Sequence, residues 1–143
     1  MKISIGSDHG GIKLKQEIGK LLELLGHEVF NAGCDSEESV DYPDFATRVC
    51  AHVLAASSER GILICGTGIG MSMAANRFQG IRAALCTESF SARMSREHND
   101  ANILCLGERV VGLELAKDIV RTWLETDFKG GRHQQRIDKF DSR

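Results

Sequence analysis

One short stretch of the chain combines a cysteine and alternating glycines in a pattern that suits acid–base chemistry. Residues 61–72 read G-I-L-I-C-G-T-G-I-G-M-S. The apolar run Ile62–Ile64 is typical of a buried parallel strand, and we expect the segment after the glycines, 69–76, to be helical. Backbone N–H groups at a helix N-terminus attract anions and help a neighbouring thiol to ionise. The stretch therefore predicts a reactive Cys65 beside an anion-binding loop.

Two further turns with polar side chains are expected to meet this loop. Asp8 and His9 follow the first predicted strand, and Arg109 follows the fifth. Right-handed crossovers place every strand–helix loop of a parallel sheet at the same edge, so these side chains should border one cleft. Asp8 alone has a simpler interpretation as a helix cap, and His9 as a surface residue of a turn. Both alternatives stay open at this point.

Basic and amide side chains late in the chain complete the candidate set. His98 and Asn99 end the helix before the fifth strand, at a position that could also face the cleft. A single histidine there is more often a surface or capping residue than an acid or base. Arg132 and Arg136 are spaced to share one helical face. The tail 128–143 has no apolar anchor in its middle, so we expect a partner, either a phosphate or a second subunit, to order it.

Alternating strands and helices must position these residues. We expect strands over 1–5, 27–31, 62–64, 81–86 and 103–106, with helices that end near 25, begin near 43, and span 69–76, 88–97 and 112–126. The helical faces expected to be buried are Ile18, Leu21, Leu22 and Leu25, and Leu115, Ile119, Val120 and Trp123. This alternation is typical of a parallel sheet with helices on both faces. The prediction is one α/β domain over 1–143, a doubly wound three-layer sandwich.

Composition excludes several classes of protein. A net charge of -2 gives no general attraction to nucleic acid or anionic membranes, and no apolar run reaches the roughly 20 residues of a membrane span. The five cysteines include no Cys-x-x-Cys pair, which favours free thiols in a reducing cytoplasm. The histidines lack metal-ligand spacing, so no metal is expected. The glycine loop has neither the dinucleotide fingerprint nor the lysine of an NTP-binding loop.

Ordered motifs over nearly the whole chain carry a resemblance to a known family. They are Gly6–His9, Asp41–Pro43, Gly61–Ala75, Ser95–Asp100, Gly107–Gly112 and Gly130–Arg136. In order and spacing they resemble ribose-5-phosphate isomerase type B, whose wider family includes galactose-6-phosphate and allose-6-phosphate isomerases. The resemblance implies a Rossmann-like α/β/α fold with a five-stranded parallel sheet and no metal or nucleotide cofactor. It also implies a homodimer or a dimer of dimers, with the tail reaching the active site of the neighbouring subunit.

The resemblance also implies a role for each candidate residue. Cys65 would be the base that moves a proton between C2 and C1 of the open-chain sugar through an enediolate, Thr67 would help to pass a proton between the sugar oxygens, and His98 would open the furanose ring. The implied substrate-binding residues are Asp8, His9, Gly66, Thr67, Gly68, Ile69, Gly70, Asn99, Arg109, Arg132 and Arg136. Among them, the loop N–H groups would face the oxyanion, and His9 with the arginines would bind phosphate.

The expected function is therefore interconversion of ribose 5-phosphate and ribulose 5-phosphate, a step of the non-oxidative pentose phosphate pathway. The same chemistry on a hexose 6-phosphate, allose or galactose, is the nearest alternative, because one extra hydroxymethyl group is discriminated by only about 1–3 kcal/mol. A different class of protein is a non-catalytic sugar-phosphate-binding module. Such a module would need neither an ionisable thiol at Cys65 nor a histidine at 98.

Overall fold

Five parallel strands form a single sheet at the centre of the molecule. They are β1 Lys2–Ser7, β2 Glu28–Asn31, β3 Arg60–Cys65, β4 Ala83–Leu85 and β5 Ile103–Gly107. Their spatial order is β2-β1-β3-β5-β4, and all neighbours run parallel. The structure, a computed structural model, describes residues 1–141. Residues 142 and 143, the last two of the predicted tail, lie outside the described residues.

Helices connect the strands and cover both faces of the sheet. They are α1 Ile12–Leu24, α2 Tyr42–Leu54, α3 Ile69–Ala75, α4 Ser89–Asn99, α5 Leu113–Glu125 and α6 Arg132–Asp141, with a 3-10 turn at His9–Gly11 before α1. None of the helices in this part of the chain is long and apolar enough to cross a membrane. The α/β three-layer architecture predicted from the sequence is confirmed.

Alternating side chains of β3 divide the core into two layers. Ile62 and Ile64 pack with α1, α4 and α5 on one face, whereas Leu63 and Cys65 pack with α2 and α3 on the other. This follows from the two-residue period of a strand. All of these side chains are at most 6% exposed, so the strand that ends in Cys65 is anchored on both faces.

Two predicted core positions are wrong. Leu25 is 37% exposed, because α1 ends at Leu24 and Gly26 turns the chain away with a φ of 80°. Leu115 is 42% exposed, because the buried face of α5 begins at Ala116 and continues through Ile119, Val120 and Trp123. In α5 the sequence pattern favours the larger side chain, Leu115, for the core, but the helical period places the smaller side chain of Ala116 there.

Two other expectations also need correction. Strand β4 is shorter than the predicted 81–86, because the Ile81 N–H donates to the Phe78 carbonyl in a turn (3.1 Å) and the strand starts only at Ala83. The tail does contain an apolar anchor. Ile137 of α6 is 3% exposed, so α6 packs on its own chain and needs no partner to be ordered.

Candidate active site

Cys65 lies at the carboxyl end of the central strand and faces the glycine loop. Its Sγ accepts a hydrogen bond from the Gly68 N–H at 3.1 Å. Gly68 has a φ of 78°, and a Cβ there would lie 2.6 Å from Leu85 Cδ1 and 2.9 Å from the Leu106 carbonyl carbon. Only glycine therefore fits, both for backbone conformation and for space. The loop is held in a form that points a backbone N–H at the sulfur.

Thr67 lies in the same loop, with its hydroxyl oxygen bound to the start of α3. The Ile69 N–H donates to Thr67 Oγ1 at 3.3 Å. The loop is also packed closely against the end of β5, since a Cβ at Gly107 would lie 2.6 Å from the Thr67 carbonyl carbon. Because the Thr67 oxygen acts as acceptor in this bond, its own hydroxyl proton can be donated elsewhere.

The first turn contacts the glycine loop as the sequence predicted. The Asp8 N–H donates to the Ile64 carbonyl at 3.3 Å, and a Cβ at Gly10 would lie 3.4 Å from the Gly66 nitrogen. Asp8 Oδ1 accepts the Gly10 N–H at 2.9 Å and caps the 3-10 turn. The capping interpretation of Asp8 is thus correct for Oδ1. The same turn places the Asp8 carboxylate beside the glycine loop.

His9 is oriented by the loop between β2 and α2. Its Nδ1 accepts the Val40 N–H at 3.2 Å, so the neutral ring carries its proton on Nε2. The start of that loop is held by Lys15, whose side chain is 3% exposed. Its ammonium donates to Asn31 Oδ1 (2.9 Å), the Cys34 carbonyl (2.8 Å) and Asp35 Oδ1 (2.6 Å). The hydrogen bond from Lys15, with another from Asn31, lowers the pKa of Asp35.

Arg109 brings the third turn to the same place. Its N–H donates to the Gly66 carbonyl at 3.0 Å, and its side chain lies over Gly66, 3.6 Å from the position of a Cβ there. A guanidinium in this position can form paired hydrogen bonds with a phosphate. We call Asp8, His9, Cys65–Gly70 and Arg109 the Cys65 group; all of them come together at the carboxyl edge of the sheet.

Sequence reasoning missed one residue of this region. The ring of Tyr42, the first residue of α2, lies over the glycine loop, where a Cβ at Gly70 would be 2.7 Å from Tyr42 Cζ. Tyr42 is 39% exposed, so part of its ring is open to solvent beside the loop. The Asp41–Pro43 motif was the available signal, but its position in the sequence does not reveal the contact with Gly70.

His98 and Asn99 lie at the opposite edge of the sheet. They end α4, and the Asn99 carbonyl accepts the Arg82 Nε–H at 3.1 Å just before β4 begins. Strand β5, which follows α4 in the chain, pairs its first residue, Ile103, with Gly61 of β3. Cys65, at the other end of β3, pairs with Gly107. Four residues of strand correspond to about 13 Å. One chain therefore does not bring His98 and Asn99 to Cys65.

Helix α6 packs beside the end of α4 and carries the two tail arginines. Arg132 and Arg136 are exposed on it, and His133 stacks on His98 with ring centroids 4.2 Å apart. The Lys129 N–H donates to the Glu97 carbonyl at 3.1 Å, and the Lys129 ammonium pairs with the Glu97 carboxylate. We call His98, Asn99, Arg132, His133 and Arg136 the His98 group.

The remaining cysteines are buried thiols of the core. Burial raises the pKa of Cys50 to about 12 and that of Cys86 to about 11, and it raises the pKa of Cys105 well above its ordinary value. These three thiols are protonated at neutral pH. Across residues 1–141, no cluster of three or more His, Cys, Asp or Glu side chains could hold a metal ion.

Comparison with known proteins identifies the family. The sequence model described as Ribose/Galactose Isomerase matches residues 3–140. Ribose-5-phosphate isomerase B of Escherichia coli is 53% identical over 96% of this chain and 92% of its own length. D-erythrulose-4-phosphate isomerase of Pectobacterium atrosepticum is 41% identical over 97% of this chain and 92% of its own length. The solved structure of Clostridium thermocellum ribose-5-phosphate isomerase B superposes with a TM-score of 0.98 at 60% identity, covering 99% of this chain and 96% of that one. The chain therefore belongs to the ribose/galactose isomerase family and is an isomerase.

Proposed function

We propose that this chain interconverts ribose 5-phosphate and ribulose 5-phosphate, with Cys65 as the base. The observation that carries the proposal is the contact between Cys65 Sγ and the Gly68 N–H in a loop that also lies beneath Arg109. A thiol, a backbone N–H donor and a guanidinium thereby meet at one loop. The names of the relatives in Escherichia coli and Clostridium thermocellum support the substrate.

The proposed reaction begins with the open-chain aldose. The Cys65 thiolate removes the proton from C2, and the electron pair of the broken C–H bond forms a C1=C2 double bond while the carbonyl electrons move to O1. The N–H groups of residues 66–70 stabilise the negative charge on O1. The thiol then returns its proton to C1, while the proton of O2 passes to O1 through the Thr67 hydroxyl. Atoms and charge balance, and the product is the ketose.

The remaining residues of the Cys65 group are proposed to bind the substrate. Asp8 would accept hydrogen bonds from sugar hydroxyls, while His9 Nε2–H and Arg109 would bind the phosphate. Arginine suits phosphate because its N–H groups match two oxygens at once. The tyrosine ring over Gly70 would limit access of water to the same cleft.

The site is proposed to be completed by a second copy of the chain. His98, the proposed acid that protonates the ring oxygen, lies at the edge of the sheet away from Cys65, as do Asn99, Arg132 and Arg136. A two-fold dimer places one subunit's surface against the other's and can bring the two groups together. Exposed apolar side chains beside the loop support this, since Ile69 is 47% and Met73 67% exposed.

A dilution series tests the shared site. Activity per mole should fall at concentrations where analytical ultracentrifugation detects monomers, and it should return on reconcentration. A monomer with full activity would contradict the shared site while leaving the assignment of Cys65 intact.

The substrate and the base are tested together. We expect Cys65→Ala to lower kcat on ribose 5-phosphate by about 10²–10⁴-fold, the range for loss of a general base. Cys86→Ala is the matched control, because Cys86 is also a buried thiol but packs in the core layer on the opposite face of the sheet from Cys65. Full activity of Cys65→Ala would show that this thiol is not the base.

Sugar length is the second question for the same assay. The relative named for D-erythrulose 4-phosphate indicates that chain length differs among members of this family. The native chain should therefore also be assayed on allose 6-phosphate and galactose 6-phosphate. Turnover of a hexose alone would replace the pentose substrate, and turnover of no sugar would favour a binding module.

The compartment proposed is the cytoplasm. All five cysteines are free thiols, including the one proposed as base. A thiol base works only while it stays reduced, which a reducing compartment ensures.

A further inference from the structure

His133 occupies a position where a helix normally buries an apolar side chain. It is 7% exposed and lies one turn before Ile137, and these two are the buried residues of α6. Ile137 has a simple role as an apolar anchor. A buried imidazole costs more to place there than another aliphatic side chain, so its ring calls for a further explanation.

The ring of His133 lies face to face with that of His98. The centroids are 4.2 Å apart and the ring planes differ by 10°. The two residues come from different helices, and α6 is fixed at both ends. At its start the ion pair of Lys129 with Glu97 ties it to α4, and at its end Asp141 pairs with Arg82 at 2.6 Å. The stack is therefore set by the packing of α6 on α4.

Only one ring of such a stack readily carries a charge, because two imidazolium ions in contact repel each other. The charged groups near the stack come from α4, from the connection before α6 and from α6 itself: Arg93, Glu97, Lys129, Arg132 and Arg136. Burial lowers the pKa of His133, and positive charge on His98, Arg132, Arg136 and Lys129 lowers it further. Glu97, the carboxylate among these groups, is paired with Lys129.

We propose that His133 is a positioning residue for His98: its neutral ring fixes the plane of the His98 imidazole and leaves the exchangeable proton to His98. This proposal rests on the role of His98 in opening the sugar ring. A flat neutral ring on one face of the acid restricts its rotation, so the N–H that protonates the ring oxygen is held in one direction. Such alignment has a large effect on the reaction rate, because misplacement of a catalytic group by 1 Å can lower the rate by about 10²-fold.

Three variants test this role. His133→Ala removes the stacked ring and should lower kcat on ribose 5-phosphate by about tenfold or more, with KM changed much less. His133→Phe keeps a flat neutral ring and should recover most of that loss. Gln135→Ala, at an exposed position of the same helix, is the matched control and should behave as the native protein. Thermal unfolding and circular dichroism show whether each variant is folded.

A histidine titration followed by NMR gives a readout that does not depend on turnover. In the native protein we expect the pKa of the His133 ring to lie below the ordinary value of a histidine, because of burial and the surrounding positive charges. In His133→Ala the His98 ring resonances should shift, because they lose the ring current of their neighbour. In His133→Phe the His98 resonances should keep an upfield ring-current shift.

Several results would overturn the proposal. They are an unchanged kcat in His133→Ala, an equal loss in the alanine and phenylalanine variants, a change in KM alone, or a His133 ring whose pKa lies above the ordinary value of a histidine. The variant His98→Asn distinguishes failure of the positioning role of His133 from failure of the proposed function. If His98→Asn keeps native activity, the role of His98 itself fails; if it is impaired while His133→Ala is not, only the positioning role fails.

Discussion

The Cys65 group and the His98 group are built in different ways by the same chain. The first is held at the ends of three central strands, where backbone groups of one turn bond directly to those of the next. The second depends on two outer helices, and only two side chains of α6, His133 and Ile137, are buried. Strand ends fix atoms through the sheet, whereas helix packing fixes them through a few side chains. The groups that need the tightest geometry, the proposed base and its N–H donor, lie in the first region.

Mixing two inactive variants is the strongest test of this division. Cys65→Ala damages one group and His98→Asn the other, so each pure protein should have little activity. Refolding a one-to-one mixture should give mixed dimers that contain one intact site, and activity should recover to about a quarter of the native value by simple pairing of subunits. Recovery is measured as kcat per total chain on ribose 5-phosphate.

The control for this experiment is a mixture of Cys65→Ala with Gly68→Ala, which both damage the Cys65 group. No recovery is expected there. If the first mixture also stays inactive while native mass spectrometry confirms mixed dimers, each site belongs to one subunit and the division is wrong.

Gly68→Ala tests the rigidity of the Cys65 group. A Cβ at this position would lie within 3 Å of Leu85 and Leu106, and the φ of 78° disfavours any L side chain. The loop must then shift, and the N–H donor to Cys65 moves with it. We expect kcat to fall by about 10²-fold, as for loss of an oxyanion donor.

A glycine in open space provides the comparison for Gly68→Ala. Gly19 lies within α1, and a Cβ there meets nothing within 4 Å. Gly19→Ala should leave kcat unchanged and raise the free energy of unfolding by up to about 1 kcal/mol, the helix propensity difference. Equal kcat values for the two variants would contradict the importance of the loop geometry.

Ile137→Ala tests the weaker packing of the His98 group. Removing this anchor should detach α6 locally at a cost of about 2 kcal/mol, the lower end for such a truncation in a core. Hydrogen exchange should accelerate in α6 but not in β1, β3 or β5. KM should rise, because the arginines of α6 lose their fixed position, and exchange that accelerates equally in the sheet would argue against a separate unit.

Alkaline pH should destabilise the fold through its buried thiols, of which Cys50 lies on α2 and Cys86 directly follows β4. The pKa of Cys50 is raised to about 12 and that of Cys86 to about 11 by burial, from an ordinary value of 9.0. At a pH between the ordinary and the raised pKa of each thiol, the folded state binds more protons than the unfolded state. The free energy of unfolding therefore falls as pH rises from 9.0 towards about 12 for Cys50 and about 11 for Cys86. Each thiol contributes a slope of about 1.4 kcal/mol per pH unit.

Urea unfolding at pH 8 and pH 10 measures that slope, and Cys50→Ala provides the difference that belongs to one thiol. The slope should be shallower in the variant. Identical slopes in the two proteins would show that Cys50 does not ionise on unfolding in this range.

Sequence patterns predicted the sheet, the helices and the convergence of Asp8, Cys65 and Arg109, because loop order along a parallel sheet follows from handedness alone. The same rule places helix–strand connections at the other edge, so the separation of His98 from Cys65 could have been inferred. The ring of Tyr42 over Gly70 could not, because that contact joins elements distant in sequence. The burial of Ile137 also depends on packing, since one isoleucine in a polar segment gives a weak pattern.

The placement of the two groups at opposite edges has an evolutionary consequence. If two copies share each cleft as proposed, then after a gene duplication one copy could lose its glycine loop and the other its terminal helix, and the pair would still assemble one working cleft. Each copy would then be useless without the other, and selection would preserve both. A chain built in this way can pass from a homomeric to an obligate heteromeric enzyme through losses alone, without gaining a single new contact.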